Sequence, residues 1–265
     1  MVWSSSSLAE ACFENERRCA LSFHPLHRKM DFLFARRAYI IRNMFTKLVL
    51  LIAVLLPALL LFQWLNDRYR RNNEIFRKII HIFHGVTLAA LAFIVPLGFL
   101  IVVEGFFLLS IFIARYLSDN FSAVPWIKYM SRVYKVDRIS YGEYLYPISA
   151  ILVILLTNSK WIFAASILTL GLADAAAALV GKKYGKKTSY TILGQKKSLI
   201  GSTAFYIVAL GVVFAFTRFA EPAISVSVFT ILWVTLVITF SENIGIYGTD
   251  NLLIPLTTAY LLAAL

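Results

Sequence analysis

Long apolar runs recur along almost the whole chain, at about 48–65, 79–95, 97–117, 144–158, 160–181, 199–218, 222–241 and 252–265. Nothing else in the sequence restricts the fold as strongly. Several of these runs reach the roughly 20 residues with which an α-helix crosses a hydrocarbon core about 30 Å thick. Of the 265 residues 60% are hydrophobic, against roughly 45–50% in a soluble domain. The expected fold is an all-α integral membrane protein, a bundle of about seven to eight transmembrane helices. The connections between runs leave no room for a sizeable soluble domain.

Charge asymmetry orients the bundle. The hydrophilic segments 66–78, 118–143 and 182–198 hold Arg68, Arg70, Arg71, Arg77, Lys78, Lys128, Arg132, Lys135, Arg138 and a cluster of lysines. The alternate connections, near 96–98, 158–160 and 218–222, hold only Lys160 and Arg218. Lys and Arg stay cytoplasmic, so a multi-pass protein is expected with its basic loops, and the 241–251 loop, on the cytoplasmic face. The net charge of +12 is loop charge. No basic stretch carries the aromatic platform of a single-strand binder, so nucleic acid is not an expected partner.

Residues 1–43 form a polar tail, serine-rich at its start, ahead of Met44 and an apolar run. It reads as a disordered tail or a mis-assigned start, with a targeting extension disfavoured by Glu10, Glu14, Glu16 and Asp31. The two cysteines, Cys12 and Cys19, both lie there. They offer neither a disulfide framework nor a metal quartet. Residues 44–265 form the multispan domain.

Within that domain, GKKYGKKTSYTILGQKKSLIGS places Lys182, Lys183, Lys186, Lys187, Lys196 and Lys197 between two apolar runs with no acid among them. Membrane anchoring, at about 1 kcal/mol per juxtamembrane cation, is one reading. Gly185, Ser198, Gly201 and Ser202 are surplus to an anchor and point to the phosphates of a nucleoside triphosphate. The Walker pattern fails, since only three residues separate Gly181 from Gly185. The cradle would instead be lysine charges plus amides at a helix start capped by Ser198.

Three further groups bear chemistry. Asp174 lies inside an apolar run among alanines, where an unpaired carboxylate costs at least about 2.5–3.5 kcal/mol. It therefore faces a polar cavity or a basic partner. The stretch Gly248-Thr249-Asp250-Asn251 supplies hard oxygen ligands suited to Mg²⁺, or a cap for the last helix. RKIIHIFHG aligns Arg77, Lys78 and His81 near one helical face, with His84 three residues on. His81 is a candidate general base or an interfacial residue. Glu104 and Arg115 read as charges satisfied inside the bundle, or Arg115 as a side chain that snorkels to the surface. The aromatics of SYGEYLYPIS read as an interfacial belt first and a lipid-entry site second.

These residues carry a resemblance. RKIIHIFHG, SYGEYLYPIS, ADAAAALVGKKYGK, KKSLIGSTAF and GTDNLLIPL, in that order across 77–256, resemble the elements of the polyprenol kinase family of membrane lipid kinases. That family includes dolichol, phytol and farnesol kinases and the CTP-dependent diacylglycerol kinase. The resemblance implies CTP as phosphate donor and a membrane lipid alcohol as acceptor. Asp174, Asp250 and His81 are then catalytic candidates, and Mg²⁺ falls to Asp250 with Asn251 or Asp174. Ile200 stands where the family has glutamate, which leaves room for Glu242 to substitute or for a loss of activity. The histidine–glycine–glycine signature of the phosphatidate cytidylyltransferases is absent, which leaves that activity as the runner-up. A non-catalytic transporter is a third reading, and no internal repeat favours it.

The charge pattern makes a topology prediction. A reporter fused after Asn73 or Lys187 is expected to read cytoplasmic, and one near Asn158 external. An external Lys187 would put the lysine loop out of reach of cytosolic nucleotide.

Overall fold

The computed structural model describes residues 73–120, 141–220 and 225–265. All of them belong to one compact unit, Arg70–Leu265. The tail 1–43, the first apolar run at 48–65 and most of the basic segment 118–143 lie outside the described residues, as does the side chain of Arg115.

Helix α1 (Asn73–Ile94) stops at Pro96, and α2 (Leu97–Asn120) starts directly after it. Helix α3 (Gly142–Thr157) ends on Asn158, whose left-handed φ of 46° turns the chain. Ser159 then caps α4 (Lys160–Leu168), its hydroxyl accepting from the Ile162 N–H. A single widened π-turn, Thr169–Ala173, joins α4 to α5 (Asp174–Tyr184) without a break. Helices α6 (Leu199–Phe219), α7 (Val228–Ile244) and α8 (Asp250–Ala263) complete the described part. With α4 and α5 counted as one rod, this makes seven helices among the described residues.

Three of these are long and apolar enough to cross a membrane: Arg77–Ile94, the rod Lys160–Thr188 and Leu199–Phe219. Leu97–Ile113, Gly142–Thr157 and Val228–Ile244 are apolar but shorter. Burial departs from that of a soluble protein in its buried charges and its exposed apolar surface. Lys78, Glu104, Asp174, Glu242 and Asn251 are buried, whereas Phe106, Leu156, Phe229 and Tyr260 are each more than 70% exposed. Apolar surface on this scale marks a surface made for lipid rather than for water. Phe163, Ile167, Leu170, Phe205, Ile238 and Ile254 form the dry interior.

The α4–α5 rod is the central element, touching α1, α3, α6 and α8. Glycines set two of its crossings. A Cβ on Gly171 would stand 3.4 Å from the Gly85 Cα on α1, and one on Gly201 would stand 3.0 Å from the Ala177 carbonyl on α5. Small residues let membrane helices approach this closely.

The departure from an all-helical fold is a β-hairpin in the lysine loop, after one 3₁₀ turn at Gly185–Thr188. Strand β1 (Ser189–Ile192) pairs antiparallel with β2 (Gln195–Ser198), Tyr190 opposite Lys197 and Thr191 opposite Lys196. The two turn residues, Leu193 and Gly194, have φ of 48° and 78°. Positive φ at both positions gives the turn whose twist matches paired strands. The β-branched and aromatic run Tyr190-Thr191-Ile192 suits a strand.

Gly201→Val makes the close α5–α6 contact testable. Overpacking of this kind costs about 1–3 kcal/mol, so the variant is expected to unfold at a lower temperature in detergent than wild type. An unchanged midpoint would mean that the contact does not constrain the bundle.

Candidate functional site

Asp174 starts α5 directly after the π-turn, which rotates everything beyond it relative to an unbroken α-helix. In that orientation its carboxylate meets α1. Lys78 donates to Asp174 Oδ2 and both side chains are buried. The His81 Nε2 lies 3.6 Å from the same oxygen and has no hydrogen-bond partner. Of the two sequence readings of Asp174, partner and cavity, both hold. It has a basic partner and it lines a polar cavity.

That cavity, of about 410 Å³, opens where the ends of α1, α5 and α7, the hairpin, the start of α6 and the turn before α8 converge. Its wall includes His81, Asp174 and Asp250, the three acid–base candidates. Of the proposed phosphate cradle it includes Lys182, Gly185, Lys186, Lys196, Lys197, Ser198, Gly201 and Ser202. Arg77, Lys78, Gly248 and Asn251 complete the set. Lys183, Lys187 and Thr249 do not line it. Adjacent helical residues diverge by about 100°, so Lys182 faces the cavity while the Lys183 Nζ sits 4.9 Å over the ring of Tyr184. The Thr249 hydroxyl is taken up by the Ile246 N–H at 3.0 Å, which closes the turn.

The hairpin is locked by its inward face. The Tyr190 hydroxyl donates to Asn243 Oδ1 and lies 2.9 Å from the Ser202 hydroxyl, which also donates to Asn243 Oδ1. Lys197 donates to the Glu242 carboxylate at 2.5 Å and to the Glu242 carbonyl at 2.9 Å, so it neutralises an acid and caps the end of α7. Ser198 caps α6, its Oγ accepting from the Gly201 N–H at 3.1 Å. The Ser198 and Ser202 hydroxyls are therefore already engaged. Sequence reasoning missed the knot made by Tyr190, Ser202 and Asn243. Its only trace in the sequence is Asn243, at the polar end of α7.

The turn before α8 is equally fixed. Tyr247 and Gly248 adopt φ of 51° and 91°, the Tyr141 N–H donates to the Tyr247 carbonyl, and the Asn251 Nδ2 donates to the Gly142 carbonyl at 2.7 Å. Gly245 is required here, because a Cβ on it would lie 2.7 Å from the Asp250 Cβ. No side chain caps α8. Asp250 Oδ1 instead accepts from its neighbour's N–H at 3.1 Å, so the capping reading of this stretch does not hold.

Among the described residues no group of three His, Cys, Asp or Glu side chains is gathered tightly enough to hold a metal by itself. The donor set nonetheless fits a cation completed by phosphate oxygens, which is how Mg²⁺ is commonly held. Asp174, Asp250 and Glu242 share the cavity wall, and the Glu242 Oε2 has no hydrogen-bond partner. Burial, and then the negative charge of Asp174, push the Asp250 carboxyl above the ordinary carboxylate range, against the pull of Lys78 and Lys197.

No protein-family model matches the chain, and no solved structure gives a significant match. A phytol kinase from Synechocystis sp. does align with it, 28% identical over 190 residues, which cover 70% of this chain and 77% of that protein. The chain is a distant relative of a kinase family. At this identity no particular member is singled out.

A carboxyl that titrates higher in the folded chain than in the unfolded one binds more protons when folded, so stability falls as pH rises through that interval. Asp250→Asn removes the charge and keeps the shape. The variant is expected to melt above wild type at neutral pH, with the gap closing as the buffer is acidified toward the ordinary carboxylate range. A gap that does not vary with pH would remove the electrostatic account of Asp250.

Proposed function

We propose that this protein is a kinase that transfers a phosphoryl group from a nucleoside triphosphate to the hydroxyl of a membrane lipid alcohol. One observation carries the reading. At the end of apolar, membrane-length helices, a single cavity joins a lysine wall to a carboxylate wall. The distant relationship to a phytol kinase supports it. Phosphoryl transfer asks a protein mainly for positioning and charge stabilisation, and this cavity offers both.

In this reading the triphosphate lies against Lys182, Lys186, Lys196 and Lys197 and the amides at the start of α6. CTP as the donor rests on the family resemblance, since lysines read phosphates and not bases. Asp250, with Asp174 or Asn251, would hold Mg²⁺, which when bound screens the phosphate charges. The alcohol oxygen attacks the terminal phosphorus while the bond to the leaving nucleoside diphosphate breaks. The hydroxyl proton passes to His81, whose Nε2 has no hydrogen-bond partner. Asp174 is less suited to that task, because Lys78 already occupies it. The lysines neutralise the charge that develops on the leaving diphosphate. The basic loops, and with them the cavity, face the cytoplasm in a bundle of seven to eight spans.

The decisive experiment supplies purified protein with labelled CTP or ATP, Mg²⁺ and a panel comprising phytol, farnesol, a polyprenol and diacylglycerol. Label is expected in the phosphorylated alcohol, and Asp250→Asn is expected to abolish it. Within the loop the cavity separates the lysines. Lys186→Ala with Lys196→Ala should raise the nucleotide KM about tenfold or more, as loss of charge-assisted hydrogen bonds predicts. Lys183→Ala with Lys187→Ala should leave it unchanged. Equal effects of the two pairs would favour a membrane anchor over a phosphate cradle, and no transfer to any alcohol would sink the kinase reading.

A further inference from the structure

Behind the cavity wall His81 belongs to a second polar cluster, whose other members take no part in the phosphoryl transfer described above. Tyr146 of α3 is buried between the two α1 histidines. His81 meets its ring edge-on at 4.8 Å between centroids, and His84 stacks on it at 4.7 Å. The His84 Nε2 lies 3.1 Å from Oε1 of Glu104 on α2, a carboxylate with no exposed surface. Three polar atoms of this cluster are buried without a hydrogen-bond partner: the Tyr146 hydroxyl, the Glu104 Oε2 and the His81 Nε2.

Buried polar atoms are nearly always paired, and an unpaired one costs about 1–3 kcal/mol. Inside a lipid-facing bundle the penalty is not relieved by bulk water. A phenol that can donate, a carboxylate oxygen that accepts and an imidazole nitrogen are the complement of a group that both donates and accepts. An alcohol hydroxyl is such a group. Space for the phenol is reserved, since a Cβ on Gly85 would stand 3.3 Å from the Tyr146 oxygen.

The cluster also reaches the outer surface. The His84 side chain is 27% exposed, and the half-exposed Phe107 packs against it at 4.9 Å. Around them the helix surfaces are apolar, with Val86, Val102 and Phe106 exposed. One polar window thus interrupts an apolar wall, and the rings of His84, Tyr146 and His81 lead from it to the cavity.

We propose that this window is the acceptor subsite. A lipid alcohol enters sideways from the bilayer past Phe107, and its hydroxyl is held by Tyr146 and Glu104 on the way to His81. Its hydrocarbon tail stays against the apolar faces of α1 and α2. The inference rests on the kinase reading for its substrate class, but its binding test does not depend on turnover.

Tyr146→Phe keeps the ring packing and deletes the hydroxyl. It is expected to raise the KM for the alcohol about tenfold, as loss of one buried hydrogen bond predicts, with the nucleotide KM unchanged. A purely structural tyrosine would alter neither constant selectively. If the alcohol KM is unmoved, ordered water satisfies these atoms and the subsite is wrong, although the kinase reading stands. The binding arm uses a diazirine-bearing hexadecanol on the wild-type protein in nanodiscs. Labelling is expected on the segments holding His84, Phe107 and Tyr146, competed by hexadecanol and not by hexadecane. Competed labelling in a protein that transfers no phosphate would uphold the subsite and defeat the kinase. Labelling without competition, or spread over all lipid-facing helices, would overturn the subsite.

Discussion

The contact between Lys78 and Asp174 holds the rest of the site in place. Neither charge is tolerable alone inside a lipid-facing bundle, so each dictates where the other must be. They come from helices α1 and α5, 96 residues apart in sequence. Pairing them fixes the rotation of α1 against the central rod. That rotation turns His81 toward the cavity and His84 toward Glu104. The π-turn at Thr169–Ala173 makes the pairing possible, because an unbroken helix would present Asp174 in another direction.

Backbone proximity does the remaining positioning. Gly85 against Gly171 and Gly181 against Gly201 bring two pairs of segments into tight backbone contact, and Gly245 against Asp250 brings a third closer than a side chain would permit. The lysine hairpin, the head of α6 and the α7–α8 turn are thereby drawn onto one opening. The polar residues of that opening are largely committed to one another. Lys197 holds Glu242, Tyr190 and Ser202 hold Asn243, and Asn251 holds Gly142. His81, Asp250, Lys186 and Lys196 are the members of the opening with chemistry to offer.

Much of this fold is legible in the sequence wherever the signal is local. Among the described residues the apolar runs are helices, Ser198 read as a helix cap and is one, and the lysine loop stood out by charge alone. What depends on distant contacts was not legible. Gly171 of the π-turn packs against Gly85 of α1, a contact that no local pattern announces. The hairpin turn is Leu193-Gly194 rather than the asparagine–glycine signal that would reveal it. Thr249, Asp250 and Asn251 were each plausible caps, because capping and tertiary hydrogen bonding call for the same side chains. That Asp174 needed a basic partner followed from burial, whereas its identity as Lys78 required the folded chain. Tyr146, reading as one aromatic among several at an interface, is distinguished only by its position between two histidines.

The hairpin also imposes a rule of parity on its loop. Tyr190 and Lys197 face inward because they stand opposite one another, while their neighbours Thr191 and Lys196 are exposed. Side chains alternate strictly along a strand, so adding or removing a single residue on either arm exchanges the two faces. Tyr190 would leave Asn243, Lys197 would leave Glu242, and the acid would be stranded. Changes of two residues preserve the pattern. The length of this lysine-rich segment is thus held as firmly as the residues that face Asn243 and Glu242, and it can change only in even steps.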